Sequence, residues 1–483
     1  MSPALVLQLG YLAYLIVVVV FVVSENRTPK ATFAWILSFA LLPGLGLLIY
    51  LFVGRGHRAF IRRPRRRKKR REQDLADERD EVMRTIRREH DVALRAMGPR
   101  EARIVSLIHS NANSYLHLQN KVTLLQDATE VYPAMMEAIR GAQSSIHLHY
   151  YSWNADSFGT RLLVILRERA AAGVEVRILY DPVGSFSTLS RRYLRRARAE
   201  GIEIKPFSAL WRFHTISYRN HRKIAVIDGR IGFTGGLNIG DEHLDPPLGF
   251  THWRDTHIRV EGTAVWPLQS TFLTDWANAT GQDLDEELYF ALPDETVAEA
   301  HLPVQVCLSG PDSEYEAIRQ LYFELITSAE SEVLIQSPFF ILDETVSEAL
   351  KLAAMSGIDV KVMISSAGPK QWLPYWAANT YAADVARAGV KVFLYEGGYL
   401  HAKTICVDGS ISSVGSANWD IRSFSINYEL TAVIYDREIG RKLGEAFEAD
   451  LAMCRPFDPA EYAERRHLLR FRDSVARLAS PLL

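Results

Sequence analysis

Cysteine is scarce in this chain. Of 483 residues only Cys307, Cys406 and Cys454 are cysteines, far apart and without CxxC or Cys/His ligand spacing. That excludes a disulfide framework or a zinc ribbon and suits a reducing compartment. Charge is nearly absent from residues 1–54, which hold only Glu25, Arg27 and Lys30. A basic body is missing too. The formal net charge is −1, yet eleven Lys/Arg and no acid fall between Arg55 and Arg71; with +1 from residues 1–54, everything after Arg71 carries −13. Nucleic-acid enzymes spread positive charge over the surface that meets the polymer, so a basic excess confined to one short run argues against that class. The length exceeds one ordinary core and leaves room for two units and an appendage.

What the first residues do contain is apolar. Ala4 to Val23 is a run of twenty interrupted only by Gln8, and Ala31 to Val53 is a run of twenty-three without a charge. At about 1.5 Å per residue, each is long enough to cross a hydrocarbon core of about 30 Å as a helix. A cleaved signal peptide is the competing reading of the first run. It has no basic n-region, however, exceeds an h-region in length, and is followed at once by the second run. The connector SENRTPK predicts a tight hairpin, and Pro43, Gly44 and Gly46 predict a kink or a close helix contact in the second span. GRGHRAFIRRPRRRKKRR follows directly, which by the positive-inside rule puts both termini in the cytoplasm, on the inner face of the cell membrane. The same run suits anionic head groups as well as a pure topology signal. Residues 72–102 are charged and helix-prone and read as a linker helix. The expected organisation is a transmembrane hairpin over 1–54 (spans about 4–23 and 31–53) and a polybasic segment with linker helix over 55–102.

Beyond residue 100 the chain repeats itself. AIRGAQSSIHLHYYSW (138–153) resembles LITSAESEVLIQSPFF (325–340), RAAAGVEVRILYD (169–181) resembles LAAMSGIDVKVMIS (352–365), and ARAEGIEIKPFS (197–208) resembles ARAGVKVFLYE (386–396). Each pair reads as helix, stop, then alternating strand. This predicts two homologous α/β halves, roughly 103–295 and 300–483, each with a mostly parallel or mixed sheet flanked by helices.

One constellation occurs once in each half. His221, Lys223 and Asp228 lie in HRKIAVIDG, followed by Gly235, Gly236 and Asn238 in TGGLN; His401, Lys403 and Asp408 lie in HAKTICVDG, followed by Gly415, Ser416 and Asn418 in VGSAN. The internal spacing is identical. Five matched positions arise by chance on the order of 10⁻⁷ per start point. His and Lys two apart on a strand project from one face, so a phosphate can meet an imidazole and an ammonium together. Asp-Gly ends the strand at a turn, and Asn238 or Asn418 can donate an amide hydrogen bond to a phosphoryl oxygen.

The double His-Lys-Asp pattern resembles the signature of the phospholipase D superfamily. The flanks YRNHRKIAVIDG, GGLNIGDE, HWRDTHIRVEG, FLTDW and GYLHAKTICVDG...GSANWDIRSFSINYE, with tandem spans ending IYLFVGR, are similar to the bacterial cardiolipin synthases. The resemblance covers nearly the whole chain and is looser over 72–120, 285–315 and the last thirty residues. It implies two phospholipase D-like domains related by a pseudo-twofold axis, and transfer through a phosphohistidine without metal or other cofactor. One histidine attacks phosphorus while the other gives a proton to the leaving alcohol and then takes one from the incoming alcohol; either can fill either role. Lys223, Lys403, Asn238 and Asn418 would hold the phosphoryl oxygens. Asp228 and Asp408 are read as anchors of the motif, and Glu429 and Asp255, by their family positions, as the carboxylates that orient the histidines. Gly236 departs from the serine found at Ser416.

The implied reaction joins two phosphatidylglycerols into cardiolipin with release of glycerol, in a membrane-embedded enzyme with no nucleic-acid partner. The alternatives are a phospholipase D or phosphatidyltransferase using water or another alcohol, a nuclease, and a non-catalytic lipid-binding scaffold. His147 and His149, on one strand face, have no third ligand at metal spacing and read as core or pocket wall. His252 and His257 read as structural and Cys406 as a small core residue. Tyr150, Tyr151, Trp153, Phe339 and Phe340 follow equivalent strands, where core and lipid contact are both open.

Overall fold

A computed structural model describes residues 2–25, 29–50, 78–208, 217–247, 249–284, 289–368 and 372–480. The polybasic run 55–71 and the end of the second apolar run lie outside the described residues. The apolar N-terminal residues and the α/β body form separate units.

In the N-terminal unit, α1 (Pro3–Ser24) begins with proline at its first turn, where no amide hydrogen is needed, and Ser2 Oγ accepts from Leu5 N at 3.4 Å. Its 22 residues reach about 33 Å. Among the described residues it is the one helix long and apolar enough to cross a membrane. The second run departs from the single span expected over 31–53. It forms α2 (Pro29–Leu41) and α3 (Leu45–Ile49), broken where Pro43 cannot donate to the preceding turn and Gly44 takes φ +87°. The chain turns back there. Tyr50 packs on Trp35, ring centroids 5.0 Å apart, and a Cβ at Gly46 would come within 2.8 Å of Ser38 O.

The body holds two sheets. The first half supplies β1 (Asn120–Gln126), β2 (Ser145–Tyr150), β3 (Glu175–Tyr180), β4 (Glu203–Pro206), β5 (Ile224–Ile227), β6 (Ile231–Gly235), β7 (Trp253–Arg254) and β8 (Thr256–Gly262). The second supplies β9 (Val304–Ser309), β10 (Glu332–Ser337), β11 (Phe340–Ile341), β12 (Asp359–Ser365), β13 (Lys391–Tyr395), β14 (Tyr399–Leu400), β15 (Thr404–Val407), β16 (Ile411–Gly415), β17 (Trp419–Asp420), β18 (Glu429–Tyr435) and β19 (Cys454–Pro456). The sheet orders are β1-β8-β6-β5-β2-β3-β4 and β19-β13-β12-β10-β15-β16-β18-β9. The three repeat pairs seen in the sequence are the parallel strands β2-β3-β4 and β10-β12-β13. Glycine stops their crossover helices at equivalent places, Gly173 (φ +92°) and Gly357 (φ +93°).

Both sheets are mixed. The Asp-Gly turn after each motif strand puts two residues at positive φ, Asp228 and Gly229 in one half and Asp408 and Gly409 in the other, and sends the chain back as an antiparallel partner. β5 and β15, buried at every residue, therefore join the parallel strands on one side to an antiparallel meander on the other.

Each half has a core of its own, and a third cluster spans the two. Ile224, Val226, Ile258 and Val260 pack in a single cluster with Cys406, Val414, Leu430 and Ile434. Backbone pairing is exchanged reciprocally: β7 runs parallel to β14, and Asn220 bridges Tyr428 at the equivalent place. This exchange is the local form of the expected pseudo-twofold relation. The helix Pro99–Ala112 buries Ile104 and Ile108 in the core of the second half, and Arg100 pairs with Asp408. The charged stretch before it is helical over Glu78–Ala96, with Ile86, His90 and Ala93 buried.

Candidate active site

The strand register places each His-Lys pair. His221 and Lys223 lead into β5, and His401 and Lys403 into β15. The two pairs meet where the halves exchange backbone. The His221 amide donates to Tyr428 O (2.9 Å) and that of His401 to Arg254 O (2.7 Å), so each histidine hangs from the opposite half.

The side chains cross in the same way. His221 Nδ1 lies 3.1 Å from Glu429 Oε2 and 3.0 Å from Ser416 O. Both are acceptors, so Nδ1 carries the hydrogen and Nε2 presents its lone pair. His401 Nδ1 lies 2.6 Å from Asp255 Oδ2. Burial lowers the pKa of both histidines, and for His401 the neighbouring Lys403 and Lys223 add to it. Burial works against the charge of Glu429, but His221 and Lys223 outweigh it and hold that carboxyl below its ordinary value. Burial raises Asp255. The two carboxylates thus differ in how firmly they stay ionised.

Both lysines are fully buried and donate to the backbone oxygen two residues back, Lys223 Nζ to His221 O at 2.5 Å and Lys403 Nζ to His401 O. Burial brings their pKa values down, to about 7 for Lys223 and about 8 for Lys403. An anion placed between them would favour the protonated form of both. Asn238 Oδ1 accepts from Ser152 N (3.2 Å), which turns its NH₂ away from that strand end. Asn418 instead donates to Asp420, and its Oδ1 is buried without a partner.

Asp228 and Asp408 lie away from this cluster. Asp228 accepts from the amides of Gln143 (2.8 Å), Ser144 (2.8 Å) and Ser145 (2.9 Å). Asp408 accepts equivalently from Glu330 (3.0 Å), Ser331 (2.8 Å) and Glu332 (2.9 Å). Each carboxylate ties the turn after a motif strand to the entry of its antiparallel neighbour, β2 or β10, and among the described residues neither touches a histidine.

A family profile described as "Cardiolipin synthase, PLD-like domain" matches residues 135–263 and 322–451, one copy in each half. A second, "Phospholipase D-nuclease N-terminal", matches residues 12–55. The chain belongs to the cardiolipin synthase family. It is 40% identical over 474 residues to a cardiolipin synthase of Geobacillus thermodenitrificans, covering 97% of this chain and 92% of that one. To a cardiolipin synthase of Listeria monocytogenes it is 36% identical over 493 residues, covering 98% and 100%. The crystal structure of phosphatidylserine synthase from Haemophilus influenzae shares the fold, with TM-score 0.58 at 14% identity over 79% of this chain and 100% of that one.

In this cardiolipin synthase family chain the Gly236/Ser416 difference has a local cause. A Cβ at Gly236 would fall 2.0 Å from Asp255 Oδ1. In the other half the carboxylate is Glu429, one methylene longer, and Ser416 Oγ donates to it. Other residues of the site carry no motif of their own. The Tyr151 ring stands 5.0 Å from the His221 ring and 5.6 Å from Lys223 Nζ, whereas Tyr150, Trp153 and Phe340 are core and Phe339 packs on Tyr375. Trp253 and Tyr399 stand 5.3 and 5.6 Å from His401. His147 stacks on Phe272 and meets Gln269, His149 faces Asp275, His252 pairs with Asp127, and Cys406 is buried in the shared core.

Proposed function

We propose that this chain is a cardiolipin synthase that moves a phosphatidyl group from one phosphatidylglycerol to the hydroxyl of another. The observation that carries this reading is the paired site itself: two histidines, each oriented by a carboxylate of the other half, beside two buried lysines. In the first step one histidine Nε2 forms a bond to phosphorus as the bond to glycerol oxygen breaks, and the other histidine, protonated, hands its proton to that oxygen. In the second, the now neutral histidine takes the proton of the incoming hydroxyl, whose oxygen displaces the first histidine from phosphorus. Lys223, Lys403, Asn238 and Asn418 hold the oxygens throughout.

Purified enzyme should convert phosphatidylglycerol to a two-phosphate lipid plus glycerol, and His221→Ala or His401→Ala should each abolish that conversion. Phosphatidic acid as the lipid product would indicate a phospholipase D instead. Unchanged cellular cardiolipin in both variants would indicate a scaffold.

The eleven basic residues of 55–71 support a catalytic body on the cytoplasmic face of the cell membrane. Two spans place residues 24–30 outside the cell. The Trp35–Tyr50 contact favours a second arrangement, in which α2 and α3 re-enter from the cytoplasmic side. Labelling of Arg27→Cys by an impermeant maleimide from outside separates them, since only two spans expose that residue there.

A further inference from the structure

The core of the site is symmetric, but its flanks are not. Two residues before His401 stands Tyr399; two before His221 stands Arg219. Four residues after Asn238 stands Glu242; four after Asn418 stands Arg422. Beside His401 the wall is aromatic, built from Trp253 and Tyr399, with Tyr375 hydroxyl-bonded to Tyr399 at 3.3 Å. Beside His221 it is polar and carries two guanidinium groups.

Arg219 is held without being satisfied. Its backbone oxygen accepts from Tyr428 N at 2.9 Å, which fixes it where the halves exchange strands. Its side chain is 6% exposed, and its one carboxylate contact is long, Nη1 to Asp181 Oδ1 at 3.5 Å. Asp181 is already committed to the amides of Val183 (2.8 Å), Gly184 (3.2 Å) and Asn220 (3.0 Å). Arg219 Nη2 is buried with no acceptor among the described residues. A buried guanidinium N–H without a partner is costly, and such a group persists where a ligand supplies the acceptor. Arg422, half-buried after the Asp420 cap, feels the Asp420 carboxylate first and then Arg219, Tyr151 and Asp181. Tyr151, against both His221 and Lys223, is also within electrostatic reach of both arginines.

We propose that Arg219 and Arg422 form a subsite for a second phosphodiester, that of the acceptor lipid, next to the one undergoing transfer. The reacting phosphate already has two lysines and two asparagines. The acceptor brings its own phosphate, one glycerol away from the hydroxyl that attacks, and the polar flank beside His221 is where an anion at that remove meets cations. On the aromatic flank beside His401 the nearby guanidinium, that of Arg254, is already paired with Asp450 at 2.9 Å and Asp127 at 3.6 Å. This inference rests on phosphatidylglycerol serving as acceptor.

The test uses full-length enzyme and two reactions from one donor. Exchange of labelled glycerol into phosphatidylglycerol needs one phosphate in the site; cardiolipin formation needs two. In Arg219→Gln and, separately, Arg422→Gln, cardiolipin formation should fall about tenfold or more relative to exchange, the scale of a lost hydrogen bond to a charged group. Arg219→Lys, which keeps the charge, should recover part of the loss. Equal loss of both reactions in a folded variant, or loss of neither, overturns the subsite. Exchange without any cardiolipin in the unaltered enzyme would instead sink the acceptor assignment on which it rests.

Discussion

His221 Nδ1 and Glu429 Oε2 lie 3.1 Å apart although 208 residues separate them and they belong to different halves. The reciprocal pair, His401 and Asp255, is 146 residues apart and 2.6 Å in contact. Orientation of each imidazole therefore depends on the docking of both halves, and a fault at the interface disables two histidines at once.

Glu429→Gln and Asp255→Asn keep an acceptor beside the imidazole but remove the charge that fixes its tautomer and favours its protonated form. Each should lower the rate of cardiolipin formation by about 10²-fold or more, with little change in thermal stability. Glu429→Gln should have the larger effect on proton donation, because His221 and Lys223 hold Glu429 ionised while burial pushes Asp255 the other way. Rates measured across pH check this: the basic limb of the Glu429→Gln profile, where the donor loses its proton, should move to lower pH.

Asp228 and Asp408 should behave differently. Their positive φ is tolerated by asparagine, so Asp→Asn isolates the loss of charge from any backbone change. Each variant should lose about 1.5–3 kcal/mol of stability in urea unfolding while keeping most of its activity per folded molecule. Asp408 also carries a pH signature. Burial opposes its charge, but the amides of Glu332, Glu330 and Ser331 hold its pKa down at about 2, against an ordinary value of 3.8. Its contribution is complete above the ordinary value and is lost as pH falls toward 2. Acid unfolding of Asp408→Asn should therefore be less steep in that window than that of the unaltered chain.

Much of this architecture is legible in the residues alone. The three helix-stop-strand repeats mark β2-β3-β4 and β10-β12-β13 because glycine stops and alternating β-branched residues are local signals. The double motif marks β5 and β15 for the same reason. The Asp-Gly dipeptide after each motif strand is the local signal for the antiparallel turn that makes the sheets mixed. What local patterns do not contain is which half orients which histidine, since that depends on strands exchanged between segments far apart in sequence. Tyr151 is one of five strand-end aromatics for which sequence leaves core and lipid contact both open, and Arg219 and Arg422 lie in the motif flanks with no spacing rule to mark them out. In the second apolar run, Pro43 and Gly44 signalled a kink, but the size of the turn was set by the packing of Tyr50 on Trp35 and Phe39.

The buried lysines should oppose folding while serving catalysis. Lys223 is brought from an ordinary 10.5 to about 7 and Lys403 to about 8, in both cases first by burial. A lysine with a lower pKa when folded binds fewer protons than in the unfolded chain between those values, so stability rises as pH rises through the window. Lys223→Met should consequently melt at a higher temperature than the unaltered chain at pH 7 and show a flatter rise in stability from pH 7 to 9, while losing cardiolipin formation. Differential scanning fluorimetry over that range measures both effects.

The glycine at 236 should be as demanding as the histidines. A Cβ there would sit 2.0 Å from Asp255 Oδ1, and Asp255 cannot retreat without giving up His401 at 2.6 Å and the Thr256 amide at 2.8 Å. Gly236→Ser should therefore displace the carboxylate and cost about 10²-fold in rate, the scale of an ångström-sized misplacement of a catalytic group. The second half shows how a serine is accommodated, with Ser416 donating to the longer Glu429. Adding Asp255→Glu to Gly236→Ser rebuilds that arrangement and should recover part of the lost rate, whereas Asp255→Glu alone should not match the unaltered chain. Ser416→Gly removes a hydrogen bond without a clash and should cost about tenfold or less. Cardiolipin formation by these four variants, compared at equal folded concentration, decides the point: if Gly236→Ser is as active as the unaltered chain, Asp255 does not orient His401 in the working enzyme.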